Sequence, residues 1–202
     1  MLSLPFPCVD GLSLPEEYRT ALRPGETLRD RTGRKRVLPR TFLRIDSWEA
    51  ARDTPLTAHF MAWELIGVDV REAPVQRAFP RYVPCAVLLL AAALELFRME
   101  VGTYVHVAAN GGYRSPGHAL NHHASRHCWG TAANIYRVGD TFLHERDAIT
   151  KYTSVARRLI PGVWIRPFGG ADGEVDDHLH LDLGYTTFDP LQSDEELESS
   201  RK

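Results

Sequence analysis

The stretch GYRSPGHALNHHASRHCWGTAANIY, Gly112–Tyr136, runs from a glycine turn into a strand-like segment and holds four of the nine histidines in the 202-residue chain. The flank before it, TYVHVAANGGYR, alternates apolar and polar residues up to a Gly-Gly pair, and the flank after it, GTAANIYRVGD, closes on a Gly-Asp turn. Alternation of period two marks a half-buried strand and glycine pairs mark turns, so the spacing predicts two strands joined across the histidine-rich loop. Further out, VPCAVLLLAAALELF (Val83–Phe97) reads as a buried helix, opened by Pro84, whose missing N–H costs little there, and stopped at Gly102. FLHERDAITKYTSVARRLI fits a helix ending before Pro161, and GVWIRPFGG and DHLHLDLGY read as two more strands. The order helix, strand, strand, helix, strand, strand predicts one α+β domain, a small antiparallel sheet flanked by helices.

The rest of the chain fits around that unit. TPLTAHFMAWELIG reads as a short helix stopped near Gly67, with Phe60 and Trp63 in the core. Residues 1–50, rich in Pro, Arg and Gly with short apolar runs such as TFLRI, read as an N-terminal extension of loops and an edge strand, wrapped on the domain and contributing few deeply buried residues. The catalytic unit is expected over 51–188 and a charged, polar tail over 189–202.

Bulk composition narrows the function classes. A chain 44% hydrophobic and 25% charged builds one ordinary core. A net charge of -2 gives no general attraction to nucleic acid or to an anionic membrane, and the longest apolar stretch is too short to span a bilayer and carries Glu95. The basic run RDRTGRKRVLPR (Arg29–Arg40) flanks a glycine turn and reads as a solvated loop or edge that can draw a substrate carboxylate. Cys8, Cys85 and Cys128 are odd in number, far apart and without Cys-x-x-Cys spacing, which argues against a disulfide framework or a thiolate zinc knot. Met1–Gly11 has no basic start and no sustained apolar run, so no secretory signal is expected; the expectation is a cytoplasmic protein, with export by another route left open.

The chemistry concentrates in two remote places. In DDHLH (Asp176–His180) the two histidines are two residues apart on an expected strand, so both side chains leave one face, with Leu179 and Leu181 expected to face outward. One imidazole can ligate a metal while the other steadies developing negative charge. Asp177 points the other way on a regular strand, and a bend over Gly173–Asp177 is needed to bring it in as general base. Nitrogen- and oxygen-ligated zinc sites recruit ligands from distant segments and keep one position open for water, a plan that His127 and His180 fit.

GYRSPGHALNHHASRHCWGTAAN together with DDHLHLD resembles the zinc D-alanyl-D-alanine peptidases, the group that includes vancomycin-resistance dipeptidases and carboxypeptidases, phage endolysins and the hedgehog signalling domain. The resemblance covers about half the chain and implies the hedgehog/D-Ala-D-Ala peptidase-like fold. It implies zinc ligation by His127 and His180, with Asn134 where the family has an aspartate, and it puts Asp177 at the general base, Arg114 at the arginine that holds substrate and oxyanion, and His178 at an auxiliary donor. Ser125, Gly130 and Ala132 match further fixed points, and Tyr113 and Ser125 fall among the substrate contacts. His118, His122 and His123 are expected at the cleft rim, touching substrate, and Trp129 beneath the site.

A carboxamide at 134 keeps the shape of an aspartate and loses its charge, which predicts weaker zinc binding and a more electrophilic ion. Three outcomes stay open: Asn134 ligates through its carbonyl, a neighbour such as His122, His123 or Asp140 substitutes, or metal and activity are lost. The expected function is zinc-dependent hydrolysis of a short peptide amide, such as a peptidoglycan stem peptide, by metal-activated water. The alternatives are a non-catalytic peptide-binding module and a same-fold enzyme acting on another small-molecule amide in the cytoplasm.

Overall fold

A computed structural model describes residues 4–121, 123–171 and 173–190. In chain order the elements are β1 (Cys8–Asp10), α1 (Glu16–Leu22), β2 (Thr27–Arg29), β3 (Lys35–Val37), β4 (Thr41–Ile45), α2 (Trp48–Asp53), α3 (Ala62–Ile66), α4 (Pro74–Arg77), β5 (Arg81–Pro84) and α5 (Val87–Val101). They continue with β6 (Val105–Val107), β7 (Ala132–Val138), β8 (Thr141–Phe142), α6 (Arg146–Leu159), β9 (Trp164–Ile165) and β10 (Leu179–Asp182). The main sheet has the order β6-β7-β10-β9, with β8 folded back on β7, and a smaller sheet has the order β1-β4-β5. β2 and β3 form a separate hairpin, and every named pairing is antiparallel. The α+β expectation for Val83–Tyr185 therefore holds in strand direction and in element order except for β8, whose Phe142 was expected in the following helix, a helix that begins only at Arg146.

One apolar core joins the two sheets. Leu43 and Val83 of the smaller sheet, Leu90, Leu94 and Phe97 of α5, and Ile135, Leu179 and Leu181 of the main sheet all belong to it and are fully buried. Each such side chain removed from water contributes about 1.5–3 kcal/mol. α5 ends where Gly102, at φ 64, donates its N–H to the Arg98 carbonyl, a left-handed cap that glycine adopts without strain. α6 has Asp147 in its first turn and Arg157 and Arg158 in its last, both complementary to the helix dipole.

Several expectations need correction. Residues 1–50 are not a thin wrapping, because Leu22, Leu38, Phe42, Leu43 and Ile45 are all buried. TFLRI is the central strand of the smaller sheet rather than an edge, and with Thr41, Phe42, Leu43 and Ile45 buried and Arg44 exposed it is covered on both faces. Pro84 closes β5, and the long helix starts three residues later. Phe60 is fully buried as expected, whereas Trp63 is 40% exposed and lies 6.2 Å from the ring of Trp48. Leu179 and Leu181 face the core, not solvent, since the sheet buries one face on α5 and α6 and gives the other to a polar cleft. Among the described residues no helix is long and apolar enough to cross a membrane.

Candidate metal and substrate site

The site is assembled on the glycine pair Gly111–Gly112. A Cβ on Gly112 would lie 2.0 Å from the Leu65 carbonyl oxygen, and one on Gly111 would lie 2.6 Å from that of Ala108, so neither position admits a side chain. This close approach lets the Tyr113 N–H donate to the Leu65 carbonyl and the Asn134 N–H donate to the Gly111 carbonyl, each at 2.7 Å. The Gly112 carbonyl lies 2.7 Å from His127 Nδ1. His127 itself sits in a short 3-10 turn, Arg126–Trp129, that ends at Gly130 with φ 70 and delivers the chain into β7. Thus one glycine turn fixes both His127 and Asn134.

His180 enters from β10 directly opposite Asn134 in the β10–β7 ladder, so period two sends both side chains to the cleft and Leu179 and Leu181 to the core. His180 Nδ1 lies 2.7 Å from Asn134 Oδ1, and its Nε2 lies 3.3 Å from Asp182 Oδ2. The rings of His127 and His180 are 5.2 Å apart, centre to centre. Two imidazoles bound at ~2.0–2.1 Å to one zinc ion at a tetrahedral angle have ring centres about 5 Å apart, so the spacing fits a shared ion.

Proton bookkeeping sharpens the fit. A carbonyl only accepts, so His127 carries its hydrogen on Nδ1 and keeps the lone pair on Nε2. His180 has two tautomers here: with the hydrogen on Nδ1 it donates to Asn134 Oδ1 at 2.7 Å, and with the hydrogen on Nε2, directed at Asp182 Oδ2, its Nδ1 lone pair faces the Asn134 amide. In the second state the amide NH2 rotates to donate to Nδ1, or a cation is shared between Nδ1 and Oδ1. Burial, ahead of the Arg114 and His180 charges, holds the His127 pKa well below 6.5, and burial holds that of His180 near 4, so both rings are neutral at pH 7.

Around these rings lies a cleft of about 1000 Å3 whose charged walls are mostly arginine: Arg29 and Arg31 from the β2–β3 hairpin, with Arg114, Arg126 and Arg166. Burial, above all, lowers the Arg114 pKa to about 10, and burial followed by the Arg31 charge lowers that of Arg166. Nε of Arg114, Nε of Arg126 and Nε2 of His178 are buried and have no hydrogen-bond partner among the described residues. Arg126 spans Trp164 and Tyr185, 5.4 and 4.8 Å from the ring centres, and approaches Asp182 at 3.7 Å.

Of the residues predicted from sequence, His127, Asn134, His180, His178, Arg114, Ser125 and His123 all line this cleft. Asp177 does not: its side chain is 77% exposed and its Oδ1 lies 2.5 Å from His178 Nδ1, so it reaches the cleft only through that ring. Tyr113 is buried in the core, and burial raises its hydroxyl pKa well above 10. His118 is buried rather than at the rim; its Nε2 meets Asn110 Oδ1 at 2.9 Å and its Nδ1 accepts from the Leu120 N–H at 3.0 Å. Asp140 lines a different cavity with Tyr104, His106 and Arg137, which removes it as a substitute ligand. His122 lies outside the described residues. Trp129 is fully buried next to the site, 4.8 Å from the Tyr185 ring.

Sequence reasoning gave no role to Asp182, although HLHLD carries it two residues beyond His180 on the same strand face. It also missed Arg126 and Arg166, for which no motif stood out. Among the described residues no group of three or more His, Cys, Asp or Glu side chains is placed to hold a metal ion, and the side chain beside His180 Nδ1 is a carboxamide, that of Asn134. The chain matches no family model, no curated protein and no solved structure.

Proposed function

We propose that the chain is a zinc-dependent peptidase of the D-Ala-D-Ala carboxypeptidase type, with the hedgehog/D-Ala-D-Ala peptidase-like fold, cutting the C-terminal amide of a short cell-wall peptide. The observation that carries this reading is the pair of neighbouring imidazoles, the His127 and His180 rings 5.2 Å apart, with Asn134 Oδ1 2.7 Å from His180 Nδ1, all three residues lining one basic cleft. His127, His180 and Asn134 would hold a zinc ion, which would supply a Lewis acid able to polarise the scissile carbonyl and lower the pKa of water towards roughly 7.

The chain's own groups divide the remaining work. His178 has Nε2 buried beside the cleft with no partner among the described residues, while Asp177 holds its Nδ1. In this reading His178 Nε2 takes the proton from the attacking water and returns it to the leaving amine, and Asp177 is the orienting carboxylate. Burial, more than anything else, depresses the His178 pKa, which keeps the ring a neutral acceptor at pH 7. Arg114, with its Nε unpartnered, presents a planar fork to the terminal carboxylate or the developing oxyanion. Asp182 positions His180 by claiming its Nε2 hydrogen.

A second reading draws support from Asn134. A neutral third donor weakens cation binding, and the same cleft then serves as a peptide-binding module that does not cut. Zinc content and D-alanine release from N-acetyl-D-Ala-D-Ala, compared for wild type, Asn134→Asp and His180→Ala, separate the two. The peptidase reading expects one zinc per chain and turnover in wild type, tighter zinc in Asn134→Asp and neither in His180→Ala. A wild type that binds the dipeptide without zinc and leaves it intact refutes the peptidase reading.

A further inference from the structure

The basic run Arg29–Arg40 begins in the β2–β3 hairpin, whose exposed tip also lines the cleft that holds His127 and His180. Arg29, Arg31 and Gly33 line the same cleft as His127, Asn134 and His180. The hairpin is tied down there, because the Ala124 N–H donates to the Arg29 carbonyl at 3.0 Å, three residues before His127. Arg166 lines the same cleft, its backbone N–H donating to the His180 carbonyl at 3.1 Å, and the charges of Arg31, Asp182, Arg126 and Asp177 all act on it. Arg31 also comes within 3.5 Å of the space a side chain on Gly173 would occupy, so it spans towards the loop that leads into β10.

The one carboxylate in the hairpin wall does not balance this charge. Asp30 is committed to its own turn: its Oδ1 accepts from the Thr32 hydroxyl and from the Thr32 and Arg34 N–H groups, and its Oδ2 accepts from Arg36 Nε at 2.9 Å. Asp182 is buried behind His180 and bound to the Gly184 N–H at 2.9 Å. Arg29, Arg31 and Arg166 therefore line one cavity with Arg114, and among the described residues that line it the only carboxylate is Asp30, already bound within its own turn. Like charges held together at a cavity wall attract an anion that bridges them.

We propose that Arg29, Arg31 and Arg166 form a second anion subsite, separate from Arg114, so that the cleft selects ligands bearing two acidic groups, the second a carboxylate or a phosphate. This rests on the peptide-ligand reading above but not on metal or turnover. A peptide with an acidic side chain, or a phosphorylated residue, near its C-terminal carboxylate meets the requirement.

The test uses full-length protein stripped of metal and dialysed free of chelator, at low ionic strength, with affinities read by calorimetry. N-acetyl-Ala-Ala offers one carboxylate, N-acetyl-Glu-Ala offers two, and N-acetyl-phosphoserine-Ala carries a phosphate in the second place. The subsite predicts that at least one two-anion ligand binds wild type about five-fold or more tightly than N-acetyl-Ala-Ala. That preference falls to about one in Arg29→Ala/Arg31→Ala and in Arg166→Gln, while N-acetyl-Ala-Ala binds the hairpin variant as it binds wild type; whichever ligand shows the preference names the anion. Equal affinities for all three ligands in wild type, or a preference unchanged in both variants, overturns the proposal. Thermal melts of the two variants check folding, and zinc binding and D-alanine release remain separate readouts, so loss of this subsite leaves the peptidase reading standing.

Discussion

Acidification should unfold the metal-free protein through His180, and the magnitude follows from its surroundings. The ring is buried and titrates near 4 in the folded chain against 6.5 when exposed. Between those values the unfolded chain holds a proton that the folded one refuses, so stability falls as pH drops from 6.5 to 4 and changes no further through this residue below 4. At 1.36 kcal/mol per pH step the gap amounts to about 3 kcal/mol, a large share of a typical domain's 5–15 kcal/mol. His127, also buried and depressed, acts in the same direction. Urea unfolding of wild type and His180→Gln at pH 7 and pH 4, with equal slopes in denaturant, measures the difference directly. Wild type should lose about 3 kcal/mol more than the variant over that range. Equal losses in the two proteins would refute the reasoning, because His180 would then be reached by water or protonated in the fold. Saturating zinc should steepen the wild-type dependence, since ligand and proton compete for Nδ1.

Three further outcomes test neighbouring links. Asp182→Asn should lower zinc affinity about 10–100-fold with the fold retained, read by competition with a chromogenic chelator, because the ring of His180 loses the carboxylate that fixes its hydrogen. Gly112→Ala should destabilise by about 3 kcal/mol or more in urea, given a Cβ 2.0 Å from the Leu65 oxygen, whereas Gly170→Ala, where a Cβ meets nothing within 4 Å, should change stability by less than about 0.5 kcal/mol. Arg114→Lys should raise KM for N-acetyl-D-Ala-D-Ala about ten-fold, since an ammonium cannot reproduce the bidentate fork; an unchanged KM would remove Arg114 from the carboxylate contact.

The parts of the fold that were legible in the sequence are those where local pattern and burial agree. The β7 and β10 sequences alternate near-regularly, Gly102 marks a left-handed stop, and α6 ends just before Pro161. The histidine pair was legible for the same reason, because period two alone sends His178 and His180 to one side. What failed depends on long-range packing. The burial of residues 1–50 follows from β4 lying between β1 and β5, a pairing across some forty residues that no local pattern announces. Leu179 and Leu181 read as outward only while the cleft is imagined as the interior; in fact the apolar face is the interior and the cleft is polar. The roles of Arg166 and of the hairpin tip were hidden because arginines separated by well over a hundred residues share nothing until the chain folds.

The most direct measurement is a zinc titration of metal-free wild type with X-ray absorption at the metal edge, repeated on His127→Ala and on His180→Ala. The account predicts one zinc per chain bound by two imidazole nitrogens with oxygen donors completing the set, and loss of stoichiometric binding in each variant. Failure of wild type to hold zinc, or a coordination signature unaltered by either substitution, would contradict it.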